Sequence, residues 1–250
     1  LLCLRDVTEL ATAMQLKADF AANASHELRT PIASIRAAVE TMSRGGDQDE
    51  AMRSRLRSMI ESNVTRLENL VSDLLDLSRL EAPELETRVE PVDLSELVGS
   101  LAEAFADACT ARQLRIETDI APEARRIECD PKHPELIVRN LVENATKFAF
   151  EGTAIVVRAR ARRGGGVTLS IIDRGIGIPL PQQQRIFERF YQVDQARQGG
   201  SEKRGTGLGL AIVKHAARRL GGSVRVESVW QEGTSMNGEL PGARGGASGA

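Results

Sequence analysis

From Leu56 to Leu77 the apolar residues stand alternately four and three apart, at Leu56, Ile60, Leu67, Leu70, Leu74 and Leu77, with Asn63 in the one remaining position. A period of about 3.5 residues marks a helix that buries a narrow seam against another helix, and a lone polar residue in the seam fixes register. A looser stripe of the same kind runs upstream through Leu10, Met14, Ala21, Ala24, Leu28, Ile32, Ile35, Val39 and Met42. Thr8 is placed to cap the helix that carries it, to about Ser43. Arg44 to Asp49 reads as a turn between the two helices. Such a hairpin buries too little by itself, so two copies are expected to pair as a dimeric four-helix bundle.

His26 falls two residues from both Ala24 and Leu28. At roughly 100° per residue it points away from the stripe, with Thr30 one turn further on the same face. Glu27 is adjacent and is placed to hydrogen-bond the imidazole or take its proton. Pro31 offers no amide to the carbonyl of Glu27, which predicts a kink below the histidine. Residues 26, 27 and 30 thus read as a nucleophile, its polarising carboxylate and a neighbouring hydroxyl.

The 250 residues suffice for two ordinary domains, and 41% hydrophobic with 27% charged content is globular composition. A net charge of −2 argues against a dedicated nucleic-acid binder. Cys3, Cys109 and Cys129 match neither a disulfide framework nor a zinc site, which fits a reducing, cytoplasmic setting. No apolar run approaches the roughly 18 residues of a membrane span, so no membrane contact is expected of this stretch. The chain opens on Leu1 inside an apolar segment, and residues 1–7 read as the remnant of an upstream sensor region. The hairpin occupies 8–80, a charged, proline-marked linker 81–92, a second domain 93–241 and a glycine–alanine tail expected to be disordered 242–250.

In the second domain Asp93 caps a helix carrying Leu94, Leu97, Val98, Leu101, Phe105 and Ala108. Strands are predicted at Leu114–Ile120, Arg126–Cys129, Thr153–Arg160, Val167–Ile172, Ser223–Val229 and Thr234–Leu240, and helices at Pro131–Ala149, Gln182–Phe190 and Gly207–Leu220. This is an α/β domain with a mixed or antiparallel sheet and helices on one side. Two glycine clusters punctuate it: Asp173–Ile178 after a strand and Gly205–Leu210 at a helix start, where free amides favour phosphate. Each alone is equally a tight turn. Between them in function stands Leu136–Phe148, which sets Asn140 and Asn144 one turn apart with Lys147 three residues on. Amide oxygens and an ammonium on one stripe suit hydrated magnesium and phosphates.

His26-Glu-Leu-Arg-Thr-Pro31, Asn140 to Lys147, Asp173 to Ile178, Arg185-Ile-Phe-Glu-Arg-Phe190 and Gly205 to Leu210 resemble, in that order, the boxes of two-component sensor histidine kinases. The resemblance spans roughly Ala18 to Pro241, and the segment around His26 is most similar to the phosphate-responsive branch. It implies a phosphotransfer hairpin followed by a two-layer α/β sandwich of the Bergerat (GHKL) ATP-binding type. By that similarity ATP and Mg2+ are the ligands. Asn144 would hold the metal, while Asn140 and Lys147 would face the phosphates. Asp173 would read adenine, with Gly175, Gly177 and Ile178 shaping the pocket and Phe148 beside the base. Tyr191 to Arg204 would be a lid, with Lys203 and Arg204 as phosphate contacts, and Gly205, Thr206, Gly207, Leu208 and Gly209 would form the second loop. Thr234 would support the adenine-reading carboxylate. The family commonly carries aromatic residues where Met236 and Gly238 stand, a departure that bears on the last hairpin.

The implied function is autophosphorylation of His26 and transfer of the phosphoryl group to an aspartate of a response regulator. Thr30 would orient water for the reverse, phosphatase reaction. The alternatives are a conformational ATPase of the same superfamily and a non-catalytic scaffold that docks a receiver. The first commonly has a glutamate base where Asn140 stands, and the intact boxes disfavour the second. His133 is expected at the surface, His215 in packing or facing solvent, and Arg158, Arg160, Arg162 and Arg163 on a solvated face.

Overall fold

The computed structural model describes residues 8–44, 49–82, 88–163, 165–193 and 205–241. The expected sensor remnant, the tip of the hairpin turn, part of the linker, most of the lid with Lys203 and Arg204, and the tail lie outside the described residues. By proximity the chain divides into two units, residues 1–74 and 75–250. Among the described residues no helix is long and apolar enough to cross a membrane.

The first unit is built from two long helices, α1 (Thr8–Arg44) and α2 (Glu50–Glu81), the second of which runs on into the second unit. Burial follows the seven-residue repeat more strictly than the sequence stripe. Among the described residues the buried positions on α1 are Pro31 and Ala38, and on α2 Leu56, Leu70, Leu77 and Leu80. Ile32 and Val39, read as part of the stripe, are 54% and 47% exposed. A repeat continuing from Ala24 by sevens lands on Pro31 and Ala38, one residue earlier than the larger side chains. Pro31 therefore sits in the seam, and the helix continues through it to Arg44. The predicted kink is thus not a break, since a proline inside a long packed helix costs one hydrogen bond that neighbouring packing can offset. Asn63 donates to the Met59 carbonyl at 2.7 Å, so its polar atom is satisfied along its own helix.

The second unit holds a five-stranded sheet in the order β2-β4-β5-β7-β6. The strands are β2 (Arg115–Ile120), β4 (Ala154–Ala161), β5 (Val167–Asp173), β6 (Ser223–Val229) and β7 (Gly233–Leu240). Only β2 and β4 pair in parallel, so the sheet is mixed. A separate antiparallel pair, β1 (Glu90–Asp93) with β3 (Arg126–Cys129), takes up the end of the segment expected as linker. Along β4, β5 and β7 the buried residues alternate: Ile155, Val157, Ala159; Val167, Leu169, Ile171; Met236, Gly238, Leu240. That face meets α5 (Lys132–Phe148) and α6 (Gly209–Arg219) through Ile137, Leu141, Ala145, Ile212 and Ala216. Period-2 strands and period-3.6 helices presenting apolar faces to one another give a two-layer sandwich.

Asp93 caps α3 (Leu94–Ala104), its Oδ1 accepting from the Ser95 and Glu96 amides at 2.9 and 3.3 Å. The single helix expected there breaks at Phe105, and α4 (Ala106–Ala111) follows. The helix expected at 182–190 is a short 3-10 turn (Leu180–Gln182) followed by turns, ending on Phe190 at φ 61°. Arg158 and Arg160, expected on a solvated face, close on Asp119 at 2.8 and 2.6 Å and hold its carboxyl below the usual range, tying edge strand β2 to β4. The final turns of α2 belong to this unit: Arg219 donates to the Leu80 and Ala82 carbonyls, and Arg139 pairs with Asp76 at 3.0 Å.

Gly238 leaves room: a Cβ built there meets only the Leu169 carbonyl, at 3.7 Å. Gly238→Ala is therefore expected to raise stability by about 0.5–1 kcal/mol, because the unfolded chain loses freedom while the strand conformation is already compatible. Urea denaturation checks it, and a loss of stability would show that the strand needs glycine there.

Candidate functional site

The upper face of α5 carries the predicted stripe. Asn140 is buried, and its Nδ2 donates to the Leu136 carbonyl at 2.8 Å. A Cβ at Gly209 would lie 2.7 Å from Asn140 Oδ1, so glycine lets the first residue of α6 meet that amide without displacing it. Asn144 is half-buried, and among the described residues none hydrogen-bonds its amide. Lys147 Nζ rests on Glu143 Oε1 at 2.5 Å and faces Gly205, 3.6 Å from where its Cβ would stand. The start of α6 has no side-chain cap, so its first amides are left for another acceptor.

The second loop is fixed by short bonds. The Phe190 amide donates to the Gly207 carbonyl at 2.8 Å, Gln192 Nε2 to the Gly205 carbonyl at 2.8 Å, and the Leu208 amide to Thr206 Oγ1 at 3.2 Å. Gly207, at φ 73°, packs so closely on Phe190 that a Cβ would come within 2.8 Å of its backbone. Leu208 is fully buried beneath the loop. Tyr191 stands at the start of the lid segment, stacked under the Arg185 guanidinium at 4.5 Å.

The first loop leaves the end of β5. Asp173 pairs in register with Thr234, whose backbone N–H donates to the Asp173 carboxylate. Burial outweighs that bond and pushes the Asp173 carboxyl up to about 6. A Cβ at Gly175 would stand 2.3 Å from the Phe148 carbonyl and 2.8 Å from Asp173 Oδ1. Gly177, at φ 65°, lies as close to the Val229 carbonyl. The Ile178 amide donates to Ser228 Oγ at 2.8 Å. Ser228 donates to the Gly233 carbonyl at 2.8 Å, so at 3.0 Å the Thr234 hydroxyl is the donor to Ser228. Gln183 Nε2 bonds the carbonyls of Ile178 and Ser228 at 2.9 and 2.8 Å. Sequence reading found Thr234 but missed Ser228 and Gln183, which carry no motif and act only through the folded hairpin.

The structure thus brings Asn140 and Lys147 to the Gly205–Gly209 loop, and Phe148 to the Asp173–Gly175 turn. Clefts floored by glycine and edged by an ammonium, amide oxygens and one buried carboxylate suit a ligand with phosphates at one end and a hydrogen-bond donor at the other.

On the first unit His26 is exposed at the rim of an open groove lined by Arg29, Thr30, Ala33, Ser34 and Ala37. Thr30 Oγ1 bonds the His26 carbonyl at 3.4 Å. Glu27, expected against the imidazole, instead pairs with Arg66 of α2 at 2.9 Å. The reason is helical phase: one residue on from an outward histidine, Glu27 turns toward the neighbouring helix. His133 is buried rather than at the surface, with Nδ1 unpaired, and His215 is half-buried at 3.6 Å from Glu81.

Residues 129–244 match the family model of histidine kinase-, DNA gyrase B- and HSP90-like ATPases, and residues 16–83 match the His Kinase A (phospho-acceptor) domain. The chain belongs to the sensor histidine kinases. Among its relatives, the sensor-like histidine kinase SenX3 of Mycolicibacterium smegmatis is 35% identical over 94% of this chain and 60% of its own length. The phosphate regulon sensor protein PhoR of Pseudomonas aeruginosa is 35% identical over 94% of the chain and 52% of its own length. This histidine kinase chain therefore spans about half to three-fifths of these relatives. The structure of histidine kinase ThkA in complex with response regulator TrrA aligns over 95% of this chain and 68% of that one, with TM-score 0.73 and 23% identity, a likeness of fold. Full-length ShkA in complex with AMPPNP aligns over 92% of this chain and 46% of that one, with TM-score 0.65 and 29% identity.

A carboxyl raised in the folded state adds stability that is complete below its unfolded pKa of about 4 and is lost as pH rises through its folded value. For Asp173 that value is about 6. Asp173→Asn, neutral throughout, is expected to gain on wild type in thermal melts between about pH 4 and 6 and to keep the gain above. A constant difference across that range would show that the carboxyl titrates normally.

Proposed function

We propose that this chain binds ATP between α5 and the two glycine loops and uses it to phosphorylate His26. The observation that carries the reading is the meeting of Asn140 and Lys147 with the Gly205–Gly209 loop at the uncapped start of α6, on a chain that also presents an exposed histidine. Asp173 accepts the adenine amino group, Gly175, Gly177 and Ile178 admit the base, and Phe148 flanks it. Lys147, Thr206, Leu208 and the free amides of α6 meet the phosphates, with Tyr191, Lys203 and Arg204 on the lid side.

Magnesium fits the donor set, since Asn144 offers an uncommitted amide oxygen and the nucleotide would supply the rest with water. When bound it neutralises charge developing on the phosphates. A neutral imidazole nitrogen of His26 attacks the γ-phosphorus in line, the N–P bond forms as the bridging P–O bond breaks, and ADP leaves. The proton that the exposed imidazole gives up passes to water, while Glu27 stays paired with Arg66 and keeps negative charge on that face of the hairpin. The phosphoryl group then passes to an aspartate of a response-regulator receiver docked at the groove beside His26, and Thr30 aligns water when the reaction runs as a phosphatase. ATP as substrate sets this activity in the cytoplasm.

A second copy completes the bundle. Ile32, Val39, Val64 and Val71 are 54%, 47%, 41% and 47% exposed and recur at the same heptad position, one residue past the seam, on both helices. Val71→Asp, which leaves the buried seam untouched, is expected to convert a homodimer to monomer in light scattering. A dimer of undiminished strength would place the interface elsewhere.

With γ-labelled ATP and magnesium, label on the protein should be acid-labile and base-stable, and absent from His26→Ala and Asn144→Ala. Label retained in His26→Ala would move the acceptor. ADP binding without label in any form would favour the scaffold.

A further inference from the structure

Arg112 lies outside both matched family regions, in the turn between α4 and β2. Its backbone is firmly set. The Arg112 and Gln113 amides donate to the Cys109 and Thr110 carbonyls at 3.1 Å each, and Leu114 closes the turn on Cys109 at 2.8 Å. Gln113 takes the left-handed conformation at φ 53°, the usual device for ending a helix. Cys109 and Leu114 are buried on either side.

From this base the guanidinium reaches to the end of α5, where its two terminal nitrogens donate to the carbonyls of Thr146 and, at 2.7 Å, Ala149. No carboxylate pairs with it among the described residues. The last carbonyls of a helix lack partners within the helix, and a cation there is favoured by the dipole. The rigid fork of arginine fixes two such carbonyls at once, which a lysine cannot do.

What it fixes is the inner wall of the nucleotide site. Ala149 forms an isolated antiparallel bridge with Gly175. On either side of it, the Ile176 amide donates to the Phe148 carbonyl at 3.2 Å and the Phe150 amide to the Arg174 carbonyl at 2.8 Å. Residues 148–150 are therefore a short splint: Arg112 grips it from behind, and the loop that leaves Asp173 hangs on its front.

We propose that Arg112 is a positioning residue for base recognition, holding Ala149 against Gly175 so that the Asp173 carboxylate stands where an adenine amino group meets it. The inference rests on the ATP reading above. Its test is the ratio of ADP to IDP affinity by titration calorimetry, in wild type, Arg112→Met and Arg112→Lys of the full chain. Hypoxanthine lacks the amino group, so the ratio reports on Asp173. A loss of fold merely lowers the competent fraction and weakens both ligands equally. Displacement of the loop should instead cut ADP affinity about tenfold, leave IDP nearly unchanged and so narrow the ratio, with Arg112→Lys intermediate. Should Arg112→Met fail to fold, Arg112→Lys carries the measurement alone. An unchanged ratio in a wild type that prefers ADP overturns the role of Arg112 only, whereas a wild type with no preference overturns the assignment of Asp173.

Discussion

Three backbone contacts between the end of α5 and the turn after β5 hold the second unit's site together. Phe148, Ala149 and Phe150 meet Arg174, Gly175 and Ile176 without any side chain between them. The contact works only because residue 175 has no Cβ, which would collide with the Phe148 carbonyl. α5 buries its other face through Ile137, Leu141 and Ala145, so the position of the turn is inherited from the core of the sandwich. The Asn140–Lys147 stripe and the Asp173 carboxylate, 33 residues apart from Asn140 to Asp173 in sequence, are thereby locked to one helix.

The electrostatics follow from that placement. Burial raises the Asp173 carboxyl to about 6 against the opposing pull of one backbone donor, Thr234, and leaves it an acceptor with room for a further donor. Lys147 is instead occupied, resting on Glu143 in a partly exposed i,i+4 pair. Helical pairs of this kind contribute about 0.3–0.5 kcal/mol, so on the proposed reading a phosphate would displace Glu143 at little cost. The site is firmly set around Asp173, where adenine is proposed to be read, and loosely held around Lys147, where phosphate is proposed to bind.

Much of this was legible in the sequence because it rests on local rules. The four-and-three spacing around Leu67 gives a helix, Asp93 gives a cap, and alternation in Val167–Ile172 gives a strand. The glycines at 175, 177, 207 and 209 each mark a close approach, yet what they approach is visible only in the fold. Phase was the weaker point. Within one chain Pro31 and Ala38 fill the seam, while Ile32 and Val39, one residue on, stay exposed on the face where a second copy is proposed to pack. The same one-residue turn of the helix carries Glu27 to Arg66. Arg185–Phe190 has apolar residues but closes only local turns, and at its end the Phe190 amide bonds the Gly207 carbonyl of the second loop instead. Ser228, Gln183 and Arg112 act across 5 to 50 residues of sequence, and no short pattern announces them.

On the function proposed above, one nucleotide spans from Asp173 to Asn144. A crystal structure of the chain with magnesium and a non-hydrolysable ATP analogue tests it most directly. The adenine amino group should lie within hydrogen-bonding distance of the Asp173 carboxylate, the phosphates against Lys147 and the start of α6, and the metal on the Asn144 amide oxygen. A nucleotide bound with its base away from Asp173, or a metal held without Asn144, would contradict the account.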